Sequence, residues 1–200
     1  MQIFKTISLV LAVALTSMSG HGSLAQDFDN GVKAYKNGDF ATALKEWRPL
    51  AEQGDVKAQT GLSKLYFSGE GVLQDFVEAV KWARKAAEQG HADAQSALGL
   101  MYINGTGVPQ DHAKAVEWIR KAAEQGDAAA QVYLGMKYYL GQVVIQDNAY
   151  AHMWWNIVAS HGLDEAKKYR EMVAKKMTAA DILKAQELAR ECVRKNYKGC

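Results

Sequence analysis

Residues 91–126 read HADAQSALGLMYINGTGVPQDHAKAVEWIRKAAEQG, and the chain copies this stretch on both sides at a spacing of 36 residues. In register, Ala58-Gln59, Ala94-Gln95 and Ala130-Gln131 are followed by Leu62, Leu98 and Leu134, then by Tyr66, Tyr102 and Tyr138. The match continues through Gly69, Gly105 and Gly141, through three Gln-Asp pairs ending at Asp75, Asp111 and Asp147, and through Trp82, Trp118 and Trp154. It closes on Gly90, Gly126 and Gly162. Self-similarity at this period marks a stacked array, and a period in the middle thirties suits a pair of antiparallel helices.

The residue types give each copy its physical form. Ala94, Leu98 and Tyr102 fall four apart and so make one stripe on a first helix. Gly105 and Gly107 permit positive φ where that helix stops, and Pro109 discourages helix just before it. Asp111 is placed to cap the second helix, which carries Ala115, Val116, Ile119, Ala122 and Ala123 at helical spacing. The small alanines allow close approach, and the Trp and Tyr rings fill the remaining gaps.

The pattern Ala-Gln-x-x-Leu-Gly-x-x-Tyr-x-x-Gly-x-Gly-Val-x-x-Asp, closing on Ala-Ala-Glu-Gln-Gly, resembles the Sel-1-like repeat, a relative of the tetratricopeptide repeat with a longer inter-helix connection. The copy at 91–126 carries the motif most fully, with Leu98-Gly99, Tyr102, Gly105, Gly107-Val108 and Asp111 in place. In the third copy Val143 stands where the others have Gly71 and Gly107, which calls that loop's geometry into question. The resemblance implies an all-α fold, a right-handed α/α superhelical solenoid of helix pairs, in proteins that hold other proteins rather than catalyse.

The flanks read differently. Lys5, the apolar run 7–15 and Ser23-Leu24-Ala25 before Gln26 have the form of a cleavable secretory signal peptide, too short in its apolar run for a membrane span. The mature chain is therefore expected in a periplasm or secreted, with no membrane insertion after cleavage. Residues 26–54 form a shortened first repeat: eight residues separate Tyr35 from Ala43, against thirteen from Tyr66 to Ala79. Full repeats follow at 55–90, 91–126 and 127–162, and 163–200 supplies capping helices. There Ala166, Tyr169 and Val173 face inward on one helix, and Thr178-x-x-Asp181 forms a capping box that opens another. On this last helix Ile182, Ala185, Ala189 and Cys192 share a face, and the interleaved charges of the remainder read as solvated. Cys192 and Cys200, an even pair in an exported chain, are expected to form a disulfide.

Charge is nearly balanced, at +2 for the whole chain, which gives no nucleic-acid footprint. The Gly-x-Gly elements join helix to helix and lack a following Gly-Lys-Ser/Thr, so they read as scaffold rather than phosphate loops. His91, His112, His152 and His161 occupy four different registers, with no His-Glu-x-x-His or Cys-x-x-Cys element, so no metal site or other cofactor is indicated. No nucleophile elbow is present, and both cysteines lie far from any histidine in sequence. These features predict a non-enzymatic protein–protein interaction scaffold whose partner is a protein or peptide. Resemblance to exported bacterial members points to envelope signalling, polysaccharide export or host contact. The rival reading is a groove enzyme or small-ligand binder acting on cell-wall material or β-lactams, although the regular cysteine pairs of the relatives linked to β-lactams are missing. In such a stack the first helices line the concave side, and the residues off their recurring Ala, Leu and Tyr stripe are free to vary. The candidate partner-binding set is Lys64, Phe67, Met101, Ile103, Tyr133, Lys137 and Tyr139.

Overall fold

The structure is a computed structural model that describes the backbone of residues 20–200 and the side chains of residues 27–200. The segment read as a signal peptide lies outside the described residues, except for the backbone of 20–25, which opens the first helix. Ten α-helices and no strand occur among the described residues: α1 Gly20–Lys36, α2 Phe40–Glu52, α3 Val56–Ser68, α4 Phe76–Glu88, α5 Ala92–Asn104, α6 His112–Ala123, α7 Ala128–Leu140, α8 Asn148–Ser160, α9 Asp164–Ala174 and α10 Ala179–Arg194. Each helix from α1 to α8 packs on the next, which is the all-α solenoid of helix hairpins expected from the repeat.

The long connections explain the Gln-Asp pairs. α3, α5 and α7 end on left-handed Gly69, Gly105 and Gly141, and the Gln of each loop folds back to donate its amide to the preceding helix. The Gln74, Gln110 and Gln146 Nε2 atoms lie 2.9, 2.6 and 2.9 Å from the carbonyl oxygens of Phe67, Ile103 and Tyr139. The neighbouring Asp75, Asp111 and Asp147 accept from backbone amides of the next helix and so supply its N-cap. One dipeptide therefore closes one helix and opens the other. These capping bonds hold the Asp111 carboxyl below its ordinary pKa, the Lys114 backbone amide being the largest cause. The first hairpin dispenses with the loop, and three residues, 37–39, join α1 to α2.

Interior volume is balanced by register. Trp47 lies flat against Gly31 and Gly61, where an added Cβ would fall 2.3 and 2.6 Å from its indole. Trp155 uses Gly135 in the same way, and the smaller Ile119 uses Gly99. Two buried indole N–H groups find backbone partners, Trp47 at the Phe28 carbonyl (3.2 Å) and Trp155 at the Val132 carbonyl (3.1 Å). A second ladder joins Arg48, Arg84 and Arg120 to the hydroxyls of Tyr66, Tyr102 and Tyr138 at 2.7, 2.9 and 3.1 Å.

The C-terminal end departs from the simple stack. α10 does not form the next hairpin with α9 but folds back onto α8. The second helices show why. The face that carries Glu78, Lys81, Lys85 and Glu88 in α4, and Lys114, Glu117 and Lys121 in α6 with Glu124 at its C-cap, carries Tyr150, Met153, Ile157 and Ser160 in α8. Met153 and Ile157 are buried together with Ala189 and Cys192 of α10, each large side chain contributing on the order of 1.5–3 kcal/mol. The Thr178–Asp181 capping box is formed, with Asp181 N donating to Thr178 Oγ1 at 3.2 Å. Cys192 and Cys200 are bridged, their Cα atoms 5.6 Å apart, and the turn they close places Tyr197 against Gly126 at the end of the second full repeat.

Val143 does not change the third loop. It takes φ 70°, the same value as Gly71 and Gly107, so a β-branched side chain occupies the left-handed region. At Gly107 an added Cβ would lie 2.1 Å from the Phe76 carbonyl oxygen. The two positions predict opposite responses. Val143→Gly should raise stability by roughly 1 kcal/mol by releasing backbone strain, and Gly107→Val should lower it by roughly 3 kcal/mol through strain and collision. Denaturant midpoints of the two variants check this, and a destabilised Val143→Gly would show that the loop is not strained.

Candidate functional site

The first helices place part of the predicted set around one groove. Between α3 and α5 lies an open cavity of about 460 Å³, lined by Thr60, Lys64 and Phe67 from α3 and by Ala97, Leu100, Met101 and Asn104 from α5. Phe67 is 43% exposed and Leu100 51%, so two apolar side chains stand in solvent on opposite walls while the nearly buried Met101 forms part of the lining between them. Lys64 holds its ammonium 4.7 Å from the centre of the Tyr35 ring, and Phe67 meets Phe76 edge to face at 5.4 Å. Lys64 and Asp93 are the charged residues that reach the cavity.

The groove exists because of what is small. Gly61 and Ala97 occupy one register position on α3 and α5, and on α7 that position holds Tyr133. Tyr133 packs against the core formed by α6, α7 and α8, with its hydroxyl enclosed and without a hydrogen-bond partner. Burial raises its phenol pKa above the ordinary value. Lys137 lies 4.9 Å above the same ring and donates to Gln142 Oε1 at 3.1 Å.

The remaining predicted residues are not gathered with these. Tyr139 joins a separate aromatic cluster, 5.9 Å from Trp155, which in turn lies 5.3 Å from Tyr169; Lys176 donates to the Tyr139 hydroxyl at 2.5 Å. Ile103 is half-buried and packs against two core clusters instead of facing the groove. Sequence reasoning missed Leu100 and Ala97, although the Gly61, Ala97, Tyr133 series was a readable signal. Among the described residues, no three His, Cys, Asp or Glu side chains gather as a metal site, and no helix is long and apolar enough to cross a membrane.

His152 on α8 lies elsewhere. It replaces Val80 and Val116 in register and is 3% exposed, with Nδ1 unpartnered. Desolvation, and then the nearby Arg170, lower its pKa below the ordinary 6.5, so the ring is neutral near pH 7. The unfolded chain therefore takes up the proton first. Stability should be full above about pH 6.5 and fall as the pH drops through the lower folded-state value. Restoring the repeat residue by His152→Val should flatten the difference in denaturation midpoint between pH 7.5 and 5.5; an unchanged difference would assign the acid response to other groups.

Comparison with known proteins agrees with this geometry. The Sel1 repeat model matches residues 56–91, 92–127 and 128–163. A Sel1 repeat protein from Oxalobacter formigenes is 39% identical, covering 64% of this chain and 97% of that one, with a TM-score of 0.61. A protective antigen present in uropathogenic Escherichia coli strains and displaying an SLR fold is 29% identical, covering 87% of this chain and 46% of that one, also at 0.61. Over 48 residues the chain is 42% identical to an exopolysaccharide production negative regulator of Rhizobium leguminosarum bv. viciae, a match that spans 24% of this chain and 18% of the regulator. With three tandem matches covering more than half of its length and the loop, cap and ladder geometry repeating with them, the chain belongs to the Sel1 repeat family.

Proposed function

We propose that the protein is an interaction module that receives an apolar side chain of a protein partner in the groove between α3 and α5. Sel1 repeat proteins are protein-interaction modules, and the observation that supports this site is an open apolar groove whose walls expose Phe67 and Leu100. The three helices α3, α5 and α7 carry few charges, Lys57, Lys64, Asp93 and Lys137, so a partner segment meets mainly neutral surface. Enzymatic chemistry would need converging ionisable groups, and Lys64 and Asp93 are the ones that reach this cavity. The signal-like start and the Cys192–Cys200 bridge support work outside the cytoplasm, and the short match to a regulator of exopolysaccharide production supports an envelope or polysaccharide role.

The register suggests its own test. Ala97→Tyr installs on α5 the residue that α7 already accommodates, so the groove should fill while the fold persists. Affinity capture from the native envelope extract should lose its specific partner by about tenfold or more, as when a central anchor pocket is removed. Equal capture by wild type and a fully helical Ala97→Tyr variant would place the partner site elsewhere.

A further inference from the structure

A second groove runs between α8 and α10, in the second-helix layer and apart from the one above. It has a volume of about 620 Å³ and is lined by Asn156, Ile157 and Ser160 of α8 and by Arg190, Val193 and Arg194 of α10, with Glu187 on the same wall. Arg190 and Arg194 stand one turn apart, and neither forms an ion pair or hydrogen bond within the described residues. Among the described residues the ion pairs are Lys81–Glu78, Lys114–Asp111 and Lys195–Glu191, each within one helical turn, and Arg190 and Arg194 share their unpaired state with most surface lysines.

The repeat register sets the polar groups of this groove apart. Ser160 stands where the repeat has Glu88 in α4 and Glu124 at the C-cap of α6, and α8 contains no Asp or Glu, so the acids near these guanidiniums come from α10 itself, Glu187 on the groove wall and Glu191, whose carboxylate feels the Arg194 charge. Asn156 stands where Arg84 and Arg120 bind a tyrosine, and its Oδ1 accepts instead from Arg170 Nη1 at 3.1 Å. That bond brings a third guanidinium to the edge of the groove and leaves the Asn156 amide N–H groups as donors. Ser160 donates its hydroxyl proton to the Ile157 carbonyl at 2.6 Å, which leaves its oxygen as an acceptor. Residues 163–200 hold ten Lys and Arg against six Asp and Glu, while residues 26–162 hold thirteen against sixteen, so the cationic excess belongs to the end of the chain that builds this groove.

We propose that the α8–α10 groove binds an acidic sugar, a carbohydrate unit carrying a carboxylate or a phosphate. The two unpaired arginines recognise the oxyanion, for which planar guanidinium donors are suited. The 44%-exposed Val193 offers an apolar wall to the C–H face of a sugar ring, and Asn156, Ser160 and Glu187 offer donors and acceptors to its hydroxyls. A bare phosphate site would have no use for that wall, and Glu187 would oppose it. A sugar hydroxyl makes the carboxylate an asset.

The test is calorimetric titration of the full mature chain with digalacturonate, with glucose 1-phosphate, with neutral maltose and with tetraglutamate, followed by NMR of the arginine Nε–Hε signals. An acidic sugar should bind and move the Arg190 and Arg194 signals. Arg190→Ala/Arg194→Ala should weaken it by about tenfold or more, as expected for loss of charge-assisted hydrogen bonds, while Lys184→Ala/Lys198→Ala, with the same loss of charge, should change it less than about twofold. Binding of digalacturonate alone identifies a carboxylated source and of glucose 1-phosphate alone a phosphorylated one. Four results would overturn the proposal: no acidic sugar binding, equal binding of maltose, equal binding of tetraglutamate (which would assign the groove to an acidic protein), or equal weakening by the lysine variant.

Discussion

A buried amide fixes how one hairpin sits on the next. Gln59, Gln95 and Gln131 are at most 4% exposed, and each donates Nε2 to the carbonyl of Ala51, Ala87 or Ala123 at 3.0 Å, near the end of the preceding second helix. Gln59 and Gln95 also accept, at 2.8 Å, from Gln89 and Gln125 at the end of the following second helix. An unpaired amide at such depth costs roughly 1–3 kcal/mol, so a hairpin shifted from this register loses the bond and gains an orphaned group. The alanine that accompanies each glutamine lets the helices approach closely enough for the bond to form. Apolar contact alone would tolerate sliding; the amides do not.

Around that spine the repeat distributes its variation by size and charge. At two register positions a large second-helix side chain is matched by a glycine on the facing first helix, Trp155 by Gly135 and Ile119 by Gly99. Small residues also open the groove between α3 and α5, and Tyr133 occupies the corresponding space one step later. The outward face of the second helices is charged until α8, where it turns apolar because α10 lies upon it. Among the described residues, the buried polar groups without partners, at Tyr133, Asn148, His152 and Trp154, all belong to α7 and α8, where the repeat pattern is most altered.

Most of the fold was legible because the determinants recur: the Ala, Leu and Tyr stripe, the loop glycines and the capping aspartates each stand at one register position in three copies. The capping box and the disulfide followed from local chemistry. The docking of α10 was written in the sequence as well, in the change from Lys81 and Glu117 to Met153, but only comparison between copies exposes it. The site was less legible. Lys64, Phe67 and Met101 were found because they leave the recurring stripe, whereas Ile103 leaves it too and packs inward, since a position off one stripe can still face a neighbouring helix. Val143 shows a further limit: residue preference marks the loop as altered, while the surrounding hydrogen bonds hold it in the conformation of its siblings.

The way α10 rests on α8 bears on how such a chain changes length over evolutionary time. Each interior unit offers the same pair of surfaces before and behind, and its amides find partners in any copy of itself. Duplication within residues 55–127 therefore inserts a unit whose neighbours already fit. Past α8 the same event would fail, because the outward face of that helix is shaped for α10 and the turn closed by Cys192 and Cys200 reaches back to Gly126. The array can gain copies from within, while its last unit and its terminal helix are inherited together.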